Sequence, residues 1–134
     1  MPQPSTAGLH HIALTVTDLE ASIAWYQRLF GIAYQMEEAH EGGVGKVLAD
    51  DQWGLVIVLH HHDANTGERF SERRTGLDHV GLAVASRAEL EGWQRHLAEL
   101  GVSHSPIADR PYGSVLVFRD PDNIQLELFA PSGA

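Results

Sequence analysis

The sequence predicts an α+β fold in which one β-α-β-β-β unit is used twice. Three observations carry this reading. The stretch Leu9-His10-His11-Ile12-Ala13-Leu14-Thr15-Val16 returns 68 residues later as Leu77-Asp78-His79-Val80-Gly81-Leu82-Ala83-Val84. Each copy leads into a capped amphipathic segment that stops at a glycine, Gly31 in the first half and Gly101 in the second. Each such segment is followed by further strand-like runs, the last of them strongly apolar. Self-similarity at this scale marks a duplicated supersecondary unit.

Taken in order, residues 1–8 read as a flexible tail and residues 9–131 as a single domain. Module one spans about residues 9–60, a linker about 61–76, and module two about 77–131. The first strand of each module alternates with period two. Ile12, Leu14 and Val16 lie on one face, as do Val80, Leu82 and Val84, and this apolar face is for burial. The other faces carry His11, Ala13 and Thr15, and His79, Gly81 and Ala83. A histidine followed by small side chains leaves open space above the sheet. Thr17 or Asp18 then caps a helix whose stripe is Leu19, Ile23, Tyr26 and Phe30, and Gly31 ends it. Residues 32–38 and 44–50 read as strands around a His40-Glu41-Gly42-Gly43 turn, and residues 54–60 as an apolar strand. In module two, Ser86-Arg87-Ala88-Glu89 matches a capping box. The buried stripe is Leu90, Trp93, Leu97 and Leu100. Strands are expected near 102–108 and 113–119, then an Asp120-Pro121-Asp122-Asn123 turn and a final strand over 124–129.

Bulk properties narrow the function. At 134 residues the chain can bury a sizeable core. With 18 acidic against 9 basic residues its formal charge is -9, which argues against nucleic acid or an anionic membrane as partner. No apolar run approaches the roughly 20 residues of a membrane helix. The leader lacks the basic and apolar regions of a signal peptide. There is no cysteine, so disulfides and metal-thiolate sites are excluded. A cytoplasmic location is the expectation.

The chemistry-bearing candidates are His11, His79 and Glu127. Ile124, Leu126 and Leu128 form the apolar face of the last strand, which turns Glu127 to the opposite face with Gln125 and Phe129. Read singly, a strand histidine is a hydrogen-bonded structural residue and a glutamate between leucines marks a solvent face. Read together, a histidine in each repeat plus a glutamate of matching parity define a shared polar site. Two neutral imidazoles and a carboxylate suit Fe(II), Mn(II), Ni(II) or Zn(II), with positions left open for a substrate. Calcium prefers oxygen ligands.

These residues also resemble a known family. His11-Ile12-Ala13-Leu14-Thr15-Val16-Thr17-Asp18, Trp25-Tyr26, Phe30-Gly31, the Leu77–Val84 stretch and Asp120-Pro121-Asp122-Asn123-Ile124-Gln125-Leu126-Glu127-Leu128 are similar to motifs of the vicinal oxygen chelate superfamily. That superfamily includes glyoxalase I, extradiol dioxygenases, and fosfomycin- and bleomycin-resistance proteins. The resemblance implies two βαβββ modules forming an open, barrel-like concave sheet with helices outside. It implies metal ligands at His11, His79 and Glu127, with His11 preferred over His10 by its spacing from Asp18. A fourth ligand, common in glyoxalase I-like members, falls at Val58 when Asp51 is set against Asp120, and valine binds no metal. His60, of the same parity, is the candidate ligand or acid–base group at the cavity rim, while the His60-His61-His62 run as a whole reads as exposed loop-end surface.

The resulting expectation is a metal-dependent enzyme, glyoxalase-like or dioxygenase-like, with one divalent ion per site. Its substrate would be a small organic molecule chelated through vicinal oxygens. The alternatives are a metal-free sequestration protein of the bleomycin-resistance type, and a relative whose histidines are structural. Open half-barrels expose sheet edges that need a partner, so a homodimer is expected. Trp53, Phe70, Tyr112 and Phe129 are candidates to line the cavity.

Overall fold

A computed structural model describes residues 2–133; Met1, the first residue of the expected tail, and Ala134 lie outside them. The chain divides between Gly67 and Glu68 into two compact units. The first holds β1 (Ile12–Thr15), α1 (Leu19–Phe30), β2 (Ala33–His40), β3 (Gly43–Ala49) and β4 (Val56–His62). The second holds β5 (His79–Ala83), α2 (Arg87–Glu99), β6 (Ala108–Arg110), β7 (Gly113–Arg119) and β8 (Gln125–Pro131). The sheet orders are β1-β4-β3-β2 and β5-β8-β7-β6. In each, the first strand pairs parallel with the last and the remaining pairs are antiparallel. This is an α+β fold of two βαβββ modules, each an open four-stranded sheet with its own helix.

Local chemistry sets the element ends. The Asp18 carboxylate accepts the Ala21 N–H at 3.1 Å, and Gly31 takes the left-handed conformation (φ 66°) that closes α1. Ser86 Oγ accepts the Glu89 N–H at 3.2 Å at the start of α2. Asp120 Oδ1 accepts N–H groups from Asp122 and Ile124 at 2.9 and 2.8 Å, which fixes the turn before β8.

The cores follow strand parity. Leu14, Ile57 and Leu59 are buried in the first unit together with Tyr26 of α1, and Leu126, Leu128 and Leu116 in the second together with Leu90 and Leu97 of α2. α1 packs on β4 and β2, and α2 on β7 and β8. The opposite face of each sheet is therefore left for function. Among the described residues no helix is long and apolar enough to cross a membrane.

Three local expectations change. Instead of a strand over 102–108, the chain makes a single bridge between His104 and Phe118 and then the short β6. Pro106 lacks the N–H that a continuous ladder would need. β4 runs on through His62, so the expected linker loses its first two residues to the sheet. The later part of that segment is tied to the second unit. Phe70 donates its N–H to Asp122 O and accepts from Asn123 Nδ2, both at 3.0 Å, and Glu72 pairs with Arg119.

One ion pair in the second unit gives the fold a testable pH dependence. Arg87 grips both oxygens of Asp109, at 2.8 and 3.0 Å, and Ser114 donates to the same carboxylate. The guanidinium, aided by the hydroxyl, lowers the Asp109 pKa from 3.8 to about 2. A depressed carboxylate pKa stabilises the fold above the ordinary value, and that contribution is lost as pH falls from 3.8 toward 2. Asp109→Asn is expected to flatten the acid-side decline of the melting temperature across that window. The effect is small because the pair faces solvent. Melting curves from pH 5 to 2 would show it, and an unchanged slope would rule it out.

Candidate metal centre

In the second unit the parallel pairing of β5 and β8 sets His79 beside Gln125 and Gly81 beside Glu127. His79 and Glu127 thus sit on a diagonal of the open face, and Gly81 leaves the space above them clear. His79 Nε2 lies 3.2 Å from Glu127 Oε2. Two ligands about 2.1 Å from one ion stand at about this separation. Each partner is oriented from behind. Asp78 Oδ1 accepts the His79 Nδ1–H at 2.7 Å, which leaves Nε2 for the site. Gln125 Nε2 donates to Glu127 Oε1 at 3.2 Å, and Arg119 in turn donates to Gln125 Oε1 at 3.0 Å. A carboxylate behind a ligating histidine, and an amide behind a ligating carboxylate, are the usual supports of a metal site. The hydrogen bond to Asp78 holds the His79 imidazole above its ordinary pKa; burial opposes this and the Glu127 charge adds to it.

The first unit has a cavity of about 670 Å³ on its open face. His11, Ala13 and Thr15 line it from β1, Val56, Val58 and His60 from β4, and Met36 from β2, with Trp53 at the turn before β4. Trp53 holds a left-handed conformation (φ 57°), costly for a bulky residue, that accompanies its place on the cavity wall. His11 and His10 touch ring to ring, their Nδ1 atoms 2.9 Å apart, and both line the cavity. His79 and Glu127 are therefore brought together within one unit, while His11 belongs to the cavity of the other. Of the remaining expected aromatics, Tyr112 and Phe129 stack on each other in the second unit at 6.1 Å between centroids.

Val58 pairs with Ala13 as Glu127 pairs with Gly81, so the two positions are equivalent in the repeat. The first unit carries a methyl-lined wall where the second carries a carboxylate. His60 is not a lone imidazole. Its Nδ1 is 3.2 Å from His40 Nε2, and its ring stacks on that of His62 with centroids 5.8 Å apart. Burial pushes its pKa down, and His40 and His62 push the same way.

The reading of His61 and His62 as exposed surface is thus corrected for His62, which lines the cavity, whereas His61 turns to the other face and pairs with Asp63 at 3.0 Å. His40, expected only as a turn residue, also lines the cavity. A signal for both exists in the sequence. His60 and His62 share parity, and the facing strand offers Gly43 and Gly45 at the same alternation.

A two-module βαβββ chain with a buttressed histidine–glutamate pair on one open face defines a class of small α+β proteins. The comparisons identify which. Residues 8–128 match the model of the Glyoxalase/Bleomycin resistance protein/Dioxygenase superfamily, and the chain belongs to that superfamily. It is similar to the putative ring-cleaving dioxygenase MhqA of Bacillus subtilis, with 30% identity over 92% of this chain but only 40% of the relative, so it spans less than half of that protein's length. A glyoxylase/bleomycin resistance protein/dioxygenase domain from Frankia sp. EAN1pec superposes with TM-score 0.87 and 34% identity, covering 97% of this chain and 96% of that one. The fosfomycin resistance protein FosX from Listeria monocytogenes, solved with Mn(II) and sulfate, superposes with TM-score 0.67 and 25% identity, covering 96% of each chain.

Proposed function

We propose that the protein is a metal-dependent enzyme of the superfamily. It binds a small organic substrate through vicinal oxygens at a divalent ion held by His11, His79 and Glu127. The observation that carries this reading is the His79–Glu127 pair, closed to 3.2 Å beside Gly81 and buttressed by Asp78 and Gln125. The donor set suits Mn(II), Fe(II), Ni(II) or Zn(II), since two imidazoles and one carboxylate leave open positions. Such an ion supplies Lewis acidity to a polarised oxygen of the substrate. The chain's own part is to hold His79 in one tautomer and to fix the Glu127 carboxylate. Members of the superfamily act on small molecules. A ring-cleaving dioxygenase name and a fosfomycin-resistance name among the relatives point to catechol-type and epoxide substrates as the first to try. A homodimer is part of the proposal, because β1 and β2 are edges of one sheet and β5 and β6 of the other.

The test is a screen of catechols, hemithioacetals and epoxides against the metal-stripped protein reloaded with each ion, with and without chelator. Turnover that needs metal supports the reading. Tight, chelator-insensitive binding without product would replace it with the sequestration alternative.

A further inference from the structure

The first unit carries a second group of ligating side chains, on different strands from His79 and Glu127. Antiparallel pairing places His40 of β2 and His62 of β4 on either side of Gly43, and sets His60 beside Gly45. Both central positions are glycine, so the imidazoles lean over a strand that has no side chains beneath them. A Cβ on Gly45 would meet the His60 ring first, Cε1 at 2.6 Å, Nε2 at 2.9 Å and Nδ1 at 3.1 Å. Ring centroids of His40 are 5.3 Å from His60 and 5.0 Å from His62, and one nitrogen of each of the three falls within 4.8 Å of the others. His40 is already oriented as a ligand: its Nδ1 donates to Glu41 O at 3.1 Å, so its Nε2 lone pair faces the cluster. A backbone carbonyl behind a ligating histidine is a common support of this kind.

We propose that His40, His60 and His62 form a second metal site, taking one divalent ion of the imidazole-preferring class, Zn(II), Ni(II), Co(II) or Cu(II). A neutral imidazole offers one lone pair, the three ligand nitrogens lie within 4.8 Å of one another, and the contact between His60 and His40 uses one of them. Zinc nitrogen bonds of about 2.0–2.1 Å place tetrahedral ligands about 3.4 Å apart, which a modest rotation of the rings reaches. The cavity side is left open for water or a ligand atom. Glu38, beside Gly45 on β2 and lining the same cavity, puts a carboxylate next to the cation. In this assignment His60 is a ligand and not a free base.

The experiment counts ions in untagged full-length protein, stripped and then titrated with Zn(II), and follows Co(II) by its visible absorption. Wild type is expected to bind a second ion per chain beyond the one at Glu127. His40→Gln and His62→Gln should each weaken that second ion by at least about 100-fold, more than the loss of a mere supporting residue, while Glu127→Ala leaves it in place. Gly45→Ala keeps every ligand but crowds the His60 ring, and should weaken the same ion about tenfold. His61→Ala, on the opposite face, should change nothing. The proposal is overturned if His40→Gln and His62→Gln bind as many ions with the same affinity as wild type. Loss of an ion in Glu127→Ala alone would leave the superfamily centre standing and reject this one. Loss in the histidine variants alone would do the reverse.

Discussion

Glu127→Ala is expected to abolish metal binding at the His79 centre and to lower metal-dependent turnover about a thousandfold or more. The magnitude follows from what the ion supplies. Lewis-acid stabilisation of developing charge is worth several kcal/mol, and each 1.4 kcal/mol is tenfold in rate. Glu127 is the single carboxylate in the proposed set, so its removal leaves only imidazoles to hold a dication. The fold should survive. The Glu127 side chain is only 22% exposed but that of its partner is 40% exposed, and a pair this open contributes little to stability. His79→Ala should match Glu127→Ala. Gln125→Ala should be milder, about 10–100-fold in metal affinity, because it removes the donor that orients Glu127 and no ligand. Metal content by elemental analysis, read beside turnover, checks all three. A Glu127→Ala protein that keeps full metal occupancy and rate would remove Glu127 from the centre.

Much of this arrangement was legible because period-two alternation survives into the structure unchanged. Leu14 and Val80 are buried while Ala13 and Gly81 face outward, as the parity of the repeated strand requires. The equivalence of Val58 and Glu127 was also legible, since it needs only the repeat and one anchoring aspartate in each half. What escaped depends on register across strands. His40 and His62 are 22 residues apart, and only the pairing of both with Gly43 brings them together. The hairpin offers two glycines in succession, Gly42 and Gly43, and the turn can be centred on either until the ladder is known. The strand expected over 102–108 failed for a local reason: apolar Val102 and Ile107 bracket Pro106, which cannot donate to a ladder. Parity is a property of one strand, whereas a site built on three strands is a property of their register.

Leu59→Ala and Leu128→Ala are each expected to destabilise the protein by about 2–5 kcal/mol. The two leucines are repeat equivalents. Leu59 pairs with Leu14 on β1 and with Lys46 on β3, and Leu128 pairs with Leu82 on β5 and with Leu116 on β7. Both lie on a strand flanked on either side, and they are 0% and 1% exposed. Truncation removes buried methyl groups and leaves a cavity that a strand bonded on both edges cannot collapse to fill, which places the cost in the upper part of the range. Both residues are also neighbours of the sites they underlie. His60 follows Leu59 and Glu127 precedes Leu128, each on the opposite face of its strand. Loss of packing beneath them should therefore loosen the ligands above, Leu59→Ala raising the dissociation constant of the ion at His60 more, and Leu128→Ala that of the ion at Glu127 more. Urea unfolding followed by circular dichroism gives the stability change, and Zn(II) titration of the still-folded fraction gives the second effect. A cost below about 1 kcal/mol for either variant would mean that its leucine is not part of a close-packed core.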